Sequence, residues 1–292
     1  MYNKEVKYFF FLWRDHMEDT IIMDGKKVRD TLLKRLIKKY ETLEEKLKLV
    51  VIQIGESNEN QLYVKQKRKM AEVLKVDFEE IHFSIADTEA MVLEKIYELN
   101  IDIAVHGIMI QSPVPSSFSF LKLVDAIDPK KDVDCLTTKN QENISQDGKI
   151  LPATVQGVLF LLENYELLPK NKRIVVLGKS RLVGTPLFRV LQKDNEVVLC
   201  DSKTVNTREL LKQADYVLIA IGKPYWLKRN MVREGAVVID IGTTILDGKV
   251  VGDADFESLL GYTQAITPVP GGVGPLTVLS LYTNLINLYE KK

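Results

Sequence analysis

The stretch Arg173 to Pro186 reads RIVVLGKSRLVGTP. Ile174–Leu177 is an apolar, largely β-branched run, and Arg173–Leu177 reads as a buried strand. GKSRLVGTP follows at once and opens a helix that runs through Leu191. A glycine-bearing turn between strand and helix is where a Rossmann-like domain grips a pyrophosphate. Glycines allow close backbone approach, and the helix N-terminus favours an anion. The match to G-x-G-x-x-G is imperfect, because Ser180 stands at the second glycine, and an ordinary strand–helix turn fits the same residues. Two features favour the nucleotide reading. Ser180 can donate its hydroxyl to a phosphate or ribose, with Gly184 and Pro186 marking the helix start. Asp201 ends the next strand, 23 residues after Gly178, where a carboxylate can take a ribose 2′-hydroxyl. A turn or cap residue is the competing reading of Asp201.

Strand and helix patterns alternate on both sides of this stretch. Downstream, Glu196–Cys200, Tyr216–Ile221 and Ala236–Ile241 are strand candidates, with helical segments near Thr207–Gln213 and Leu227–Val232. Upstream, Lys26–Lys48 carries a helical stripe of Val28, Leu32, Leu36, Leu43 and Leu47. Leu49–Ile54 reads as a buried strand, Asn58–Lys75 as a helix, Phe78–Ile85 as a strand and Thr88–Leu99 as a helix. Ile101–Ile110 is strand-like until QSPVP breaks it. This alternation implies parallel sheets covered by helices, an α/β chain of two αβα domains. The boundary falls inside the helical stretch Thr154–Tyr165.

The 292 residues are 46 % hydrophobic, enough for two modest domains, and 40 basic residues balance 40 acidic ones. A net charge of zero offers no field for nucleic acid. Cys135 and Cys200 give no disulfide framework, and His16, His82 and His106 are scattered, which argues against a metal enzyme. Tyr8–Trp13 (YFFFLW) is too short to span a bilayer and lacks a signal-peptide pattern; Glu5, Asp15, Glu18 and Asp19 argue against a transit peptide. The chain reads as cytoplasmic, with a packed or frayed N-terminal extension.

Polar residues interrupt the pattern in three segments. In helix Asn58–Lys75, Tyr63, Lys67, Met70 and Leu74 share one side, while Lys65, Arg68 and Lys69 point elsewhere. Lys67 thus lies on the core stripe. Burial lowers an ammonium's pKa and can make it a proton donor or acceptor near neutrality; the plainer reading is a snorkelling lysine. Gln111 ends a buried run, at the carboxyl end of a strand, where ligands bind in open α/β sheets. In KDVDCL, Asp132 and Asp134 flank a valine. An extended backbone would aim both carboxylates one way, ready for a cation or a bidentate N–H edge, although for this segment alone a turn is the plainer reading.

These pieces occur in order in one family. The chain resembles the bifunctional methylenetetrahydrofolate dehydrogenase/methenyltetrahydrofolate cyclohydrolase family from about Ile21 to its end. The resemblance rests on Y-x-x-x-K at Tyr63–Lys67, Q-x-P-x-P at Gln111–Pro115, KDVD at Lys131–Asp134, G-x-S-x-x-V-G-x-P at Gly178–Pro186 and TPVPGGVGP at Thr267–Pro275. It implies a folate-binding catalytic domain over residues 1–153 and 275–292, a Rossmann-like dinucleotide domain over 154–274, and a last helix that returns to the first domain. It further implies that Lys67 is the catalytic lysine of the cyclohydrolase step, that Tyr63 stacks on the folate, and that Gln111 orients the lysine. By the same resemblance Asp134 grips the pterin N–H edge, and the loop of Pro270, Gly271 and Gly272 borders the folate at the cleft between domains. Gly178, Lys179, Ser180, Gly184, Ser202 and Thr243 match cofactor-contact positions.

The implied chemistry oxidises 5,10-methylenetetrahydrofolate with NADP and hydrolyses the methenyl product to 10-formyltetrahydrofolate. A cytoplasmic homodimer without metal is the implied form. Five departures keep other readings open: Cys135 for a glycine, QSPVP for Q-L-P-L-P, PATV for P-C-T-P at Pro152–Val155, Lys179 for an arginine and Asp201 for a histidine. Asp201 would repel a 2′-phosphate and leans toward NAD; Lys179, Ser202 and Lys203 together offset it. The alternatives are a dehydrogenase with weak or no cyclohydrolase activity, a folate- or nucleotide-binding homologue with impaired catalysis, and another two-domain dehydrogenase of the shikimate type.

Overall fold

A computed structural model describes residues 20–55, 58–144 and 150–290. The run Tyr8–Trp13, and its reading as an extension, lie outside the described residues. In chain order, β1 (Ile21–Ile22) leads into α1 (Gly25–Glu41), β2 (Lys48–Ile54), α2 (Asn58–Leu74), β3 (Asp77–Phe83), α3 (Glu89–Ile101) and β4 (Gly107–Ile110). Three helices follow, α4 (Phe120–Asp125), α5 (Thr138–Asn143) and α6 (Ala153–Asn164). The second series is β5 (Arg173–Leu177), α7 (Gly184–Leu191), β6 (Glu196–Cys200), α8 (Thr207–Gln213), β7 (Tyr216–Ile219) and β8 (Val237–Asp240). The chain closes with β9 (Thr244–Leu246), β10 (Lys249–Val251), α9 (Phe256–Leu259), β11 (Ala265–Ile266) and α10 (Gly274–Tyr289).

Two compact units result. One holds the described residues up to Gly25 together with Leu161–Val273; the other holds Lys26–Phe160 and the chain from Gly274 onward. The α/β reading holds, with parallel strands in both. In the second unit the sheet order is β3-β2-β4, all parallel. Its central strand is buried on both faces from Leu49 to Ile54, which is why it reads as an unbroken apolar run. α10 completes this unit. The Asn284 amide donates to the carbonyls of Val133 (2.9 Å) and Leu151 (2.8 Å), and the Tyr40 hydroxyl donates to the Tyr282 carbonyl at 2.7 Å.

In the first unit six parallel strands run in the order β1-β11-β8-β7-β5-β6. Val175, Leu177, Val217, Ile219 and Val238 point into one core with Leu211 and Leu259. The chain therefore moves outward from β5 to β6, then returns past β5 to β7 and β8. A reversal of this kind opens a crevice at the carboxyl ends of the two strands that flank it.

Three local expectations are corrected. The helix expected over 26–48 stops at Glu41, where the Thr42 hydroxyl takes the Lys39 carbonyl at 2.8 Å; Leu47 is buried from the loop instead. The strand expected over 101–110 pairs only from Gly107. Asp102 turns the chain by accepting the Ala104 amide at 2.9 Å, and Ile101 and Ile103 are 83 % and 89 % exposed, so their apolar character does not report burial. The helical segment near Leu227–Val232 is one 3-10 turn, Arg229–Met231.

Replacing Asn284 with leucine keeps the volume but leaves two buried carbonyls without their donor. A loss of about 2–4 kcal/mol is expected, read as a lower urea midpoint with an unchanged m-value.

Candidate active site

Helix α2 turns its basic face outward and one ammonium inward. Lys65, Arg68 and Lys69 are exposed, whereas Lys67 is buried with Met70 and Leu74. Tyr63, one turn earlier on the same side, is 36 % exposed, so its ring stands at the rim of the stripe. The Lys67 ammonium donates to Gln111 Oε1 at 2.6 Å. Gln111 is held in place by its own amide, which donates to the Ile52 carbonyl at 2.8 Å, and by its Nε2, which donates to the Ser112 carbonyl at 2.8 Å. The residue therefore prolongs the β2–β4 pairing and offers only its oxygen to the lysine. From α10, the Tyr282 hydroxyl donates to the Lys67 carbonyl at 2.6 Å and fixes the turn that carries the ammonium.

Asp134 faces Lys67 electrostatically. Burial lowers the Lys67 pKa to about 8, against the pull of the Asp134 charge. Burial likewise raises Asp134 to about 6, with Lys67 opposing and the charge of Asp132 adding to the rise. The segment that presents Asp134 is a turn rather than an extended strand. Asp132 pairs with Ile108 in a single parallel bridge, and its buried carboxylate accepts the amides of Leu136 (3.2 Å) and Thr137 (2.8 Å) and the Asn140 side chain (2.9 Å). The two carboxylates of KDVD thus differ in use: Asp132 ties the loop shut, and Asp134 is left to the site. Cys135 has φ +55°, a left-handed backbone that suits the glycine expected there. The cysteine is buried and its thiol lies 3.6 Å from the Ile150 carbonyl.

The other sequence-selected residues gather in the other unit. Gly178, Lys179 and Ser180 follow β5, Ser202 follows β6, Thr243 follows β8, and Pro270, Gly271 and Gly272 follow β11. All four strands are parallel, so every one of these positions lies at the carboxyl edge of one sheet. Gly178 has φ +105°, and a Cβ there would stand 2.2 Å from the Ala220 carbonyl oxygen. A Cβ on Gly184 would stand 1.6 Å from the Gly178 carbonyl oxygen. The loop can fold so tightly onto the start of α7 only with glycine at both places. The Ser180 oxygen accepts the amides of Val183 (3.1 Å) and Gly184 (3.4 Å), so it caps the helix and keeps its proton for a ligand. Such a cradle, open at a helix start, fits a pyrophosphate.

Asp201 closes its own turn by accepting the Lys203 amide at 2.9 Å and the Thr204 hydroxyl at 3.2 Å. The Lys203 amide, then the Thr204 hydroxyl and the charges of Lys179 and Lys203, hold its carboxyl below the ordinary value. It therefore serves as a turn residue and still carries its charge beside Ser202. Reading residues alone did not find Tyr282 or the clasp made by Asp132. Tyr282 gives no signal beyond its place on an apolar helix.

Comparison with known proteins agrees with this arrangement. The tetrahydrofolate dehydrogenase/cyclohydrolase catalytic domain matches residues 23–134, and the NAD(P)-binding domain of the same family matches residues 152–292. A bifunctional protein FolD from Acholeplasma laidlawii is 40 % identical over 275 residues, covering 93 % of this chain and 99 % of its own. The FolD dehydrogenase/cyclohydrolase structure from Campylobacter jejuni superposes with a TM-score of 0.89 at 32 % identity, covering 94 % of this chain and all of its own. The Trypanosoma brucei FolD structure, complexed with NADP and an inhibitor, has a TM-score of 0.89 at 29 % identity over 94 % of this chain and 98 % of its own.

Because Lys67 releases its proton more readily when folded, the unfolded chain binds more protons between about pH 8 and the ordinary lysine value of about 10.4. The Lys67 contribution to stability therefore rises with pH across that window, by at most about 3 kcal/mol. The stability difference between Lys67→Met and the parent chain should shift in the parent's favour by denaturant titrations run from pH 7.5 to 10. A flat difference would place the ammonium in water. Gly184→Ala should lower both the melting temperature and the dinucleotide affinity, the second read by quenching or enhancement of NADPH fluorescence.

Proposed function

The chain belongs to the tetrahydrofolate dehydrogenase/cyclohydrolase family, and on that premise we propose which of its residues carry each part of the chemistry. The family's two activities are oxidation of 5,10-methylenetetrahydrofolate with a nicotinamide dinucleotide and hydrolysis of the methenyl product to 10-formyltetrahydrofolate. The single observation that carries the assignment is the buried Lys67–Gln111 hydrogen bond with Asp134 acting on the same ammonium.

In the hydrolytic step, water oxygen bonds to the methenyl carbon, a ring C–N bond breaks, and one proton is released overall. Lys67 is the group at that transfer. With a pKa near 8, both its protonated and neutral forms are accessible near neutrality, which suits a residue that must give and take a proton. Gln111 is a positioning residue that fixes the ammonium through one acceptor. Asp134, anionic above about pH 6, can accept two N–H groups of a pterin edge at once. Tyr63 supplies a ring at the rim for stacking.

A bound dinucleotide supplies the hydride acceptor. Gly178 and Gly184 provide the space, the Ser180 hydroxyl a donor, and Lys179 a charge beside Ser202. NADP is the reading we favour: Lys179 and Lys203 both act on Asp201 and outnumber its charge where a 2′-phosphate would lie, and the Trypanosoma brucei relative is complexed with NADP. Asp201 itself supports NAD as the second reading, because its carboxylate suits a free 2′-hydroxyl. By resemblance, the working form is a cytoplasmic homodimer, with Thr243 a further cofactor contact.

Purified Lys67→Met should lose cyclohydrolase activity by about 100-fold or more while still reducing the dinucleotide, so that methenyltetrahydrofolate accumulates. Normal hydrolysis in that variant would sink the assignment of Lys67. Run in parallel with NADP and NAD, the parent chain should prefer NADP, and Asp201→His should widen the preference. A parent that turns over NAD faster, with the order reversed by Asp201→His, would establish the second reading.

A further inference from the structure

Two buried carboxylates in the dinucleotide unit take no part in the chemistry above. Asp253 is fully buried, and Asp240 is 3 % exposed. The Asp253 carboxylate collects three consecutive backbone amides: Ile221 (2.6 Å) and Gly222 (3.0 Å) on one oxygen and Lys223 (2.6 Å) on the other. Gly222 has φ +65°, so this turn is an anion nest of successive N–H groups, filled by the protein's own carboxylate. Asp240 does the same one step back, accepting the amides of Gly242 (3.1 Å), Asp253 (3.1 Å) and Ala254 (2.8 Å). The space is reserved for these groups. A Cβ on Gly242 would stand 2.2 Å from the Asp253 carboxyl carbon, and one on Gly252 would stand 2.0 Å from Asp240 Oδ2.

The place of the nested turn gives it a use. Ile221–Lys223 follows β7, and the sheet order puts the point where the winding across the sheet reverses between β5 and β7. The turn after β7 and the Gly178 turn after β5 therefore flank the crevice where open parallel sheets bind their ligands. They also touch: the Cβ absent from Gly178 would meet the Ala220 carbonyl oxygen at 2.2 Å and the Ile221 side chain at 3.4 Å. A loop at a ligand crevice is ordinarily free to move. Here its amides are committed to a buried charge, which leaves the Gly178–Gly184 loop to receive phosphate.

We propose that Asp253 is a positioning residue for the dinucleotide: it folds the Ile221–Lys223 turn into one wall of the crevice between β5 and β7, and Asp240 holds Asp253 in place. The inference rests on the NAD(P)-binding reading of this unit. Asp253→Asn preserves size but turns one acceptor into a donor that faces a backbone N–H.

The test uses the full purified chain and NADPH. Titrated by fluorescence, Asp253→Asn should raise the NADPH Kd about tenfold and the KM for NADP alike, while the KM for methylenetetrahydrofolate stays within about twofold. In the parent chain, saturating NADPH should move the amide NMR resonances of Gly222 and Lys223. A cooperatively melting Asp253→Asn with an unchanged NADPH Kd would overturn the proposal. If that variant does not melt cooperatively, the parent's resonances decide: unmoved Gly222 and Lys223 overturn the proposal, and moved ones support the turn as a wall. A parent chain that binds neither NADPH nor NADH would instead overturn the reading on which the inference rests.

Discussion

Parallel pairing is the constraint from which the rest of this protein follows. Parallel strands cannot be joined by a tight hairpin, so each needs a crossover, and every strand of a sheet then ends at the same edge. In one unit that edge collects Gly178, Ser180, Ser202, Thr243 and the Pro270–Gly272 loop from four separate strands. In the other, Gln111 leaves the end of β4 and Asp132 bridges to the same strand, which brings Asp134 to bear on Lys67. Residues 67, 111 and 134 are far apart in the chain and become neighbours through one sheet.

The lysine that results is costly to bury, and the structure meets that cost locally. Its ammonium has one neutral acceptor in Gln111 and the charge of Asp134 acting on it, and together they do not offset its desolvation. The residual penalty is what lowers its pKa. Gln111 matters here because it is uncharged. A carboxylate in its place would pair with the ammonium and raise its pKa, removing the neutral form. Asp132, only two residues from Asp134, acts in the opposite sense, holding the loop closed while its charge lifts the Asp134 pKa.

The sequence was most readable where local pattern and final environment agree. β5, α7, β6 and α8 lie where periodicity puts them, because β5 is apolar and buried from Ile174 onward, and β6, half-buried at the sheet edge, is apolar from Val197. Lys67 could be singled out because one charged residue on an apolar stripe breaks a rule. The failures have physical causes as well. Ile101 and Ile103 are apolar but exposed, so they imitate a strand. The hairpin of β9 and β10 was missed although Asp247-Gly248 marks it, both residues having positive φ as a tight hairpin turn requires. Asp132, Asp240 and Asp253 bond to amides remote in sequence, or to turns whose shape they themselves impose, and no spacing rule announces that. Tyr282 contributes through one hydroxyl on a helix otherwise chosen for packing.

One feature of the chain path has a consequence for how the molecule is made. The backbone passes between the two units three times, at residues 25–26, 160–161 and 273–274, and the second passage lies inside α6. Strand β1 waits for β11, more than 240 positions later, as the Thr20–Thr263 hydrogen bond records. A ribosome therefore cannot release the unit of β1 complete before β11 emerges, nor the other unit complete before the last helix emerges. The growing chain must carry helix α2 and its buried Lys67 with α10, whose Tyr282 hydroxyl fixes the Lys67 turn, still unmade. One proteolytic cut, wherever it falls, cannot free either unit whole and alone, because each is built from two separate stretches of the chain.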